Sequence, residues 1–263
     1  YFPAFELRRE KATGKTKHKK SLLELARPWA QVTLAGEPFY KTRFGKQEFW
    51  NKDGDEVLWV CPHSPWRRAF FQRMREVVRR GVRYIFVDVP YFQMAGKHVT
   101  CGCEHCRLRF KKETGLEIPS TPGPGSGTQN RWLVWRHRAL LRFFGDLRRA
   151  VRDVSAEAKL VVEEYPAYLD LGTNYTGLDI GLAGPEVDIF THEYSAKQFD
   201  KKPFSRQDRL ALAATLGLYR GLDDHRPTWV LSYAHDVIGS RVNAAFHLLM
   251  DASYWETRAP EMS

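Results

Sequence analysis

Four cysteines and a recurring set of acidic residues carry the chemistry open to this sequence. The cysteines fall in one pattern, Cys61 followed by Cys101-Gly-Cys103-Glu-His-Cys106. A C-x-C-x-x-C run packs three sulfurs into one short stretch, as tetrahedral coordination of a metal by thiolates requires, and a distant fourth sulfur closes the shell. Cys101 and Cys103 are poorly spaced to bridge each other. The pattern therefore reads as a zinc site ahead of two disulfides or buried free thiols. Four thiolates leave no position for water or substrate, so such a zinc is structural.

The acidic residues recur at the ends of apolar runs. Asp88 closes YIFVD, Glu163 and Glu164 close KLVVEE, Glu193 closes DIFTHE, Glu256 closes SYWE, and Glu6 follows the opening YFPAF. A carboxylate at the end of a β-branched or aromatic strand is costly to bury without a partner or a purpose. Any single one reads equally well as half of a structural salt bridge; the recurrence points to a shared site. Strand alternation groups Tyr84, Phe86 and Asp88, then Leu160, Val162 and Glu164, then Ile189, Thr191 and Glu193. Asp88, Glu164 and Glu193 are therefore expected to converge, with Glu163 pointing the other way. His192 and His235 lie near these ends, as ligand contacts or as core residues. Tyr91, Tyr194, Tyr233 and Trp255 also follow strand ends, where an aromatic face can stack on a ring or simply pack.

A repeated unit positions these residues: a short apolar strand, then an amphipathic helix. Strands are expected at 57–61, 84–89, 159–164, 187–193, 228–234 and 253–257, with helices between them. Ser64 is expected to cap the helix that Gly81 ends, and a long helix is expected over 130–154. Alternating strands and helices imply a parallel sheet with right-handed crossovers. Six strands fall short of the eight of a closed barrel. The expected fold is thus α/β, a (β/α)8 TIM-type barrel without its first one or two βα units. It forms a single domain over 1–263, with a zinc-binding insertion at about 90–130.

From residue 60 to 116 the sequence reads VCPHSPWRR…YIFVDVPYF…CGCEHCRLRFKKETGL. This stretch resembles family 42 glycoside hydrolases, the β-galactosidase type, and the related bacterial "hypothetical glycosyl hydrolase" families. In family 42 an upstream cysteine joins a C-x-C-x-x-C run to hold zinc just after the fourth barrel strand, and the order is the same here. The resemblance makes 57–61 the third strand, 84–89 the fourth and 253–257 the eighth. It implies a carbohydrate substrate, hydrolysis by two carboxylates and a possible homo-oligomer. Two positions depart from the family. It carries Asn-Glu at the end of strand four and a nucleophilic Glu ending strand seven, where this chain has Asp88-Val89 and Ser232-Tyr233.

An Asp closing strand four instead resembles retaining glycosidase clans that use it as nucleophile, with an acid/base on strand five or six. The resemblance then makes Asp88 the nucleophile and Glu193 the acid/base, with Glu164 as its rival. Glu6, Tyr91, His192, Tyr194, Tyr233, His235 and Trp255 become the substrate contacts. A carbohydrate-binding barrel that has lost catalysis is the alternative.

Composition narrows the remaining classes. The chain has 263 residues, 43% hydrophobic and 13% aromatic, which suits a globular domain with a large core. The net charge of +10 permits nucleic-acid binding. However, Arg67, Arg68, Arg73, Arg75, Arg79 and Arg80 alternate with Trp66, Phe70, Met74, Val77 and Val78 at helical spacing, as on the solvated face of an amphipathic helix. No nucleic-acid-binding motif accompanies them, so no such partner is expected. No run of eighteen apolar residues suggests a membrane span. No signal-peptide pattern follows Tyr1, which leaves the compartment open with the cytoplasm slightly favoured.

Overall fold

The computed structural model describes residues 2–3, 6–8, 26–39, 57–88, 90–95, 98–121, 127–164, 176–194, 206–224, 226–232 and 237–256. Ten strands occur among them: β1 (Phe2–Pro3), β2 (Glu6–Arg8), β3 (Val57–Trp59), β4 (Tyr84–Asp88), β5 (Met94–Ala95), β6 (His98–Val99), β7 (Lys159–Glu164), β8 (Ile189–Tyr194), β9 (Trp229–Ser232) and β10 (Ser253–Glu256). The α-helices are α1 (Trp66–Arg79), α2 (Glu104–Thr114), α3 (Gly127–Arg152), α4 (Ile180–Ala183), α5 (Arg206–Asp223) and α6 (Val237–Leu249).

Six strands form one sheet in the order β1-β4-β7-β8-β9-β10, and each pair is parallel. Helices fill the crossovers, so the expected βα rhythm is present. The sheet also curves. In a flat sheet β4 and β9 would stand about 14 Å apart, three strand spacings. Yet the Tyr84 and Trp229 rings at their starts stack at 6.1 Å. Their side chains therefore meet on the concave side.

One expectation is corrected. Residues 57–61 are not a strand of the parallel sheet. β3 pairs antiparallel with β2, Glu6 opposite Trp59, in a separate two-stranded ribbon. The parallel neighbour of β4 is instead β1, with Pro3 opposite Asp88. Leu58, Trp59, Val60 and Cys61 are all fully buried. An apolar run buried on both faces looks the same in sequence whether its partners run parallel or antiparallel.

The helix layer explains the long apolar periodicities. α1 buries Trp66, Phe70, Phe71, Met74 and Val78 and leaves Arg68, Arg73 and Arg79 exposed. Arg67 lies over the Phe71 and Phe143 rings, and Arg75 bonds the Ala150 carbonyl of α3. Phe143 of α3 meets Trp66, Phe70 and Phe71 with ring centroids at 6.4, 6.1 and 5.3 Å. Burying each such ring contributes roughly 1.5–3 kcal/mol. Ser64 does not cap α1 with its side chain; its hydroxyl donates back to the Cys61 carbonyl at 2.8 Å. Gly81 follows the helix at φ +94°, the left-handed conformation that favours glycine. Asp188, just before β8, accepts from Arg148 and Arg152 of α3 and from the Leu160 backbone N–H, tying the end of α3 to the sheet. No helix among the described residues is long and apolar enough to cross a membrane.

Candidate active site and metal centre

The two faces of the sheet are set by what packs on them. Ile85, Val87, Leu160, Val162 and Phe190 belong to one core cluster with Phe143, Leu147 and Val151 of α3, so they face the helices. Alternate residues face the concave interior. That interior set is Tyr84, Phe86 and Asp88 on β4, then Lys159, Val161 and Glu163 on β7, and Ile189, Thr191 and Glu193 on β8. The register agrees, with Phe86 beside Val161, Val161 beside Ile189 and Glu163 beside Thr191. Carried one residue past Val87–Val162, it sets Asp88 beside Glu163. Asp88 and Glu163 are buried, and Glu193 is half-buried.

Glu164 therefore does not converge with Asp88. It shares the helix-facing side with its register partner His192. Alternation shows which residues share a face, but not which face is the inner one when both are buried. Glu163, expected to point away, is the β7 carboxylate on the Asp88 side.

His192 is likewise a core residue. It is 0% exposed, with Nε2 at 3.1 Å from both carboxylate oxygens of Asp223 and Nδ1 at 3.6 Å from Glu164 Oε2. Its ring stacks on Tyr219 of α5 at 4.0 Å and 10°. Burial alone would lower the imidazole pKa. Hydrogen bonding to Asp223 and then the nearby Glu164 carboxylate outweigh it, and the net shift is upward. Asp223 ends α5, 31 residues from His192, and no local pattern links the two.

The four cysteines come together as the spacing predicts. All are buried and unbridged, and their sulfurs lie within 4.8 Å of one another. The Cys61 and Cys106 sulfurs are 3.4 Å apart. A tetrahedron with metal–sulfur bonds of about 2.3 Å has edges of about 3.8 Å, so the cluster fits such an ion. Cys61 follows the ribbon strand β3, and its N–H bonds the Trp29 carbonyl at 2.7 Å. Cys103 stands at the N-terminus of α2 and Cys106 in its first turn, three apart and so on one side of the helix. Gly102, between Cys101 and Cys103, lies against the chain at Thr33, whose carbonyl oxygen would be 3.0 Å from an added Cβ.

The surroundings suit a negatively charged sulfur cluster. Burial pushes the Cys61 and Cys106 thiols well above their usual value. It acts on Cys101 too, but hydrogen bonds from Cys103, Cys106 and Cys61 outweigh it and bring that thiol well below. Four thiolates packed this closely need a cation. Arg136 of α3 is fully buried, its guanidinium 5.0 Å from the Phe92 ring centre and 4.9 Å from that of Trp132. Burial lowers its pKa to about 9, while the Cys101 and Cys106 sulfurs act to keep it charged. His63 Nδ1 lies 3.4 Å from Cys106 Sγ. Burial and the Arg109 charge lower its pKa to about 3, so the ring is neutral.

The sequence did not single out Gln31, yet it joins the loops around this centre. Buried, it donates to the carbonyls of Val60 and Tyr91 and accepts from the Gln93 N–H and the Thr100 hydroxyl. Tyr91 is half-buried, its ring 6.5 Å from Trp59. Glu6 lies in the ribbon opposite Trp59. Tyr194 ends β8 and Trp255 lies in β10. Tyr233 and His235 lie outside the described residues.

A curved parallel sheet with helical crossovers and acidic residues at its C-terminal edge defines a TIM-barrel-like α/β fold. No family model and no curated protein matches the chain. Solved structures do. The glycoside hydrolase domain of PgaB (BpsB) from Bordetella bronchiseptica superposes with a TM-score of 0.59 at 13% identity, over 76% of this chain and 59% of that one. A catalytic mutant of Gan42B, a GH42 β-galactosidase from G. stearothermophilus, gives 0.64 at 14%, over 91% and 39%. The catalytic domain of β-amylase from Paenibacillus polymyxa gives 0.51 at 9%, over 95% and 74%. The chain thus spans about three-fifths of the PgaB domain and two-fifths of Gan42B. At these identities the likeness shows a shared fold.

Proposed function

We propose that this chain is a glycoside hydrolase barrel domain that cleaves an oligo- or polysaccharide with two interior carboxylates, Asp88 as nucleophile and Glu193 as acid/base. The observation that carries this reading is the shared inner face of Asp88, Glu163 and Glu193. They end three adjacent parallel strands at the edge where barrel enzymes carry their sites. Asp88 and Glu193 come from alternate strands, which feed one interior layer of a barrel. Glu163, on the strand between, takes over from Glu164 as the rival acid/base. The fold neighbours named as glycoside hydrolases support the same class of chemistry.

In this mechanism an Asp88 oxygen attacks the anomeric carbon. The bond to the leaving oxygen breaks as Glu193 gives that oxygen its proton. Water, deprotonated by Glu193, then attacks the same carbon and releases Asp88. Cys61, Cys101, Cys103 and Cys106 would hold a structural zinc, which fixes the ribbon and α2 beside the barrel mouth and takes no part in bond cleavage.

A second reading, a carbohydrate-binding barrel without turnover, is favoured by one observation: β9 ends in Ser232, which offers no carboxylate. A panel of activated aryl glycosides separates the two. The enzyme reading expects turnover that Asp88→Asn and Glu193→Gln each lower by orders of magnitude. Saturable saccharide binding without turnover, in the wild-type protein, would establish the second reading.

A further inference from the structure

We propose that His192 is a positioning residue for the interior carboxylates: its imidazolium, enclosed between Glu164 of β7 and Asp223 of α5, clamps the ends of β7 and β8 to the helix layer and so fixes Glu163 and Glu193. The proposal rests on the reading of Glu163 and Glu193 as site residues.

The arrangement is closed to solvent. His192, Glu164 and Asp223 are 0%, 3% and 0% exposed. The contacts at Nε2 (3.1 Å) and Nδ1 (3.6 Å) address both ring nitrogens, each toward a different carboxylate. A neutral imidazole has one N–H and would turn a lone pair toward one of the two carboxylates. An imidazolium has two N–H groups, one donating to Asp223 and one turned toward Glu164 as its ion-pair partner. Buried carboxylates are costly unless cations or donors meet them, so both acids favour the doubly protonated ring. Two further groups pack here. Tyr219 stacks on the ring face. Arg226 bonds the Asp223 main-chain oxygen at 2.6 Å, and its guanidinium lies 5.3 Å from the Phe190 ring centre.

The link to the interior is the strand itself. Successive residues on a strand point to opposite faces. Glu164 and His192 anchor the helix side of β7 and β8, and Glu163 and Glu193 are the adjacent residues on the other side. Register pairs Glu164 with His192, so the clamp joins both strands at one level. Loss of the ring proton removes a cation from between two buried acids, and the strand ends with their interior carboxylates lose a fixed backbone.

The test is a titration of the wild-type protein followed by NMR, with 15N-labelled histidine and 13C-labelled glutamate carboxyls, assigned through their backbones. The His192 ring is expected to keep both protons to higher pH than solvent-exposed histidines do. The Glu163 and Glu193 carboxyl resonances are expected to inflect at the pH where His192 deprotonates. Asp223→Asn should move that inflection down by roughly one pH unit or more, a tenfold loss of proton affinity. A His192 that titrates with the exposed histidines overturns the proposal, and so do Glu163 and Glu193 resonances blind to its titration. None of these readouts uses turnover. An inactive chain with the linked inflections overturns the hydrolase reading alone, and an active chain without them overturns the clamp alone.

Discussion

Glu164 and His192 are register partners on neighbouring strands, and their side chains meet at 3.6 Å on the helix-facing side of the sheet. The consequence is an exchange of roles along β7. Glu164 belongs to a buried ionic contact, and Glu163 shares the concave face with Asp88 and Glu193. Glu163→Gln is therefore expected to alter kcat or its pH profile while leaving thermal stability near that of the wild type. Glu164→Gln is expected to lower stability by about 1–3 kcal/mol at pH 6, where His192 is charged. Thermal denaturation and steady-state kinetics on the two variants check the pair.

Stability should depend on pH through His192. Its folded-state pKa is raised above the unfolded value of about 6.5. The folded state therefore holds the proton more tightly, and this contribution is fully present below about pH 6.5. It is lost as pH rises through the folded pKa. The melting temperature should fall over that alkaline window, and Asp223→Asn should flatten the fall. Calorimetric scans from acid to alkaline pH measure it.

The cysteine cluster makes an independent prediction. Metal analysis of the purified protein should give about one zinc per chain, and a strong chelator should lower the melting temperature. Cys106→Ser should lower zinc content and stability together. Two well-formed disulfides among these cysteines in the isolated protein would contradict the assignment.

The contact between α1 and α3 offers a test of packing. Phe143 is fully buried among Trp66, Phe70, Phe71 and Phe144. Phe143→Ala should cost about 3–5 kcal/mol through lost burial and a residual cavity. Chemical denaturation of the variant reads this directly, with Phe143→Leu expected to recover part of the loss.

Much of this organisation was legible in the sequence because it rests on local periodicity. The strand at 159–164 and the long helix around Trp132, Trp135, Phe143 and Leu147 follow from apolar spacing alone. The cysteine cluster follows from residue type and short spacing. Three features did not follow, for physical reasons. The run at 57–61 is apolar throughout and buried, so nothing in it tells antiparallel ribbon from parallel strand. The sidedness of Glu163 and Glu164 depends on which face of a doubly covered strand meets the helices. The His192–Asp223 pairing joins residues that only the packing of α5 on β8 brings together.

The most direct test of the central claim is to trap the reaction on the protein. A slow mechanism-based glycoside, fluorinated at the sugar 2-position, accumulates the covalent intermediate of a retaining hydrolase. Peptide mass spectrometry then identifies the carboxylate that carries the sugar. The account predicts a single adduct on Asp88, absent in Asp88→Asn and formed far more slowly in Glu193→Gln unless the leaving group is activated. In Glu193→Gln, azide should speed turnover of an activated substrate. An adduct on another residue, or an active enzyme in which Asp88→Asn turns over like the wild type, would contradict it.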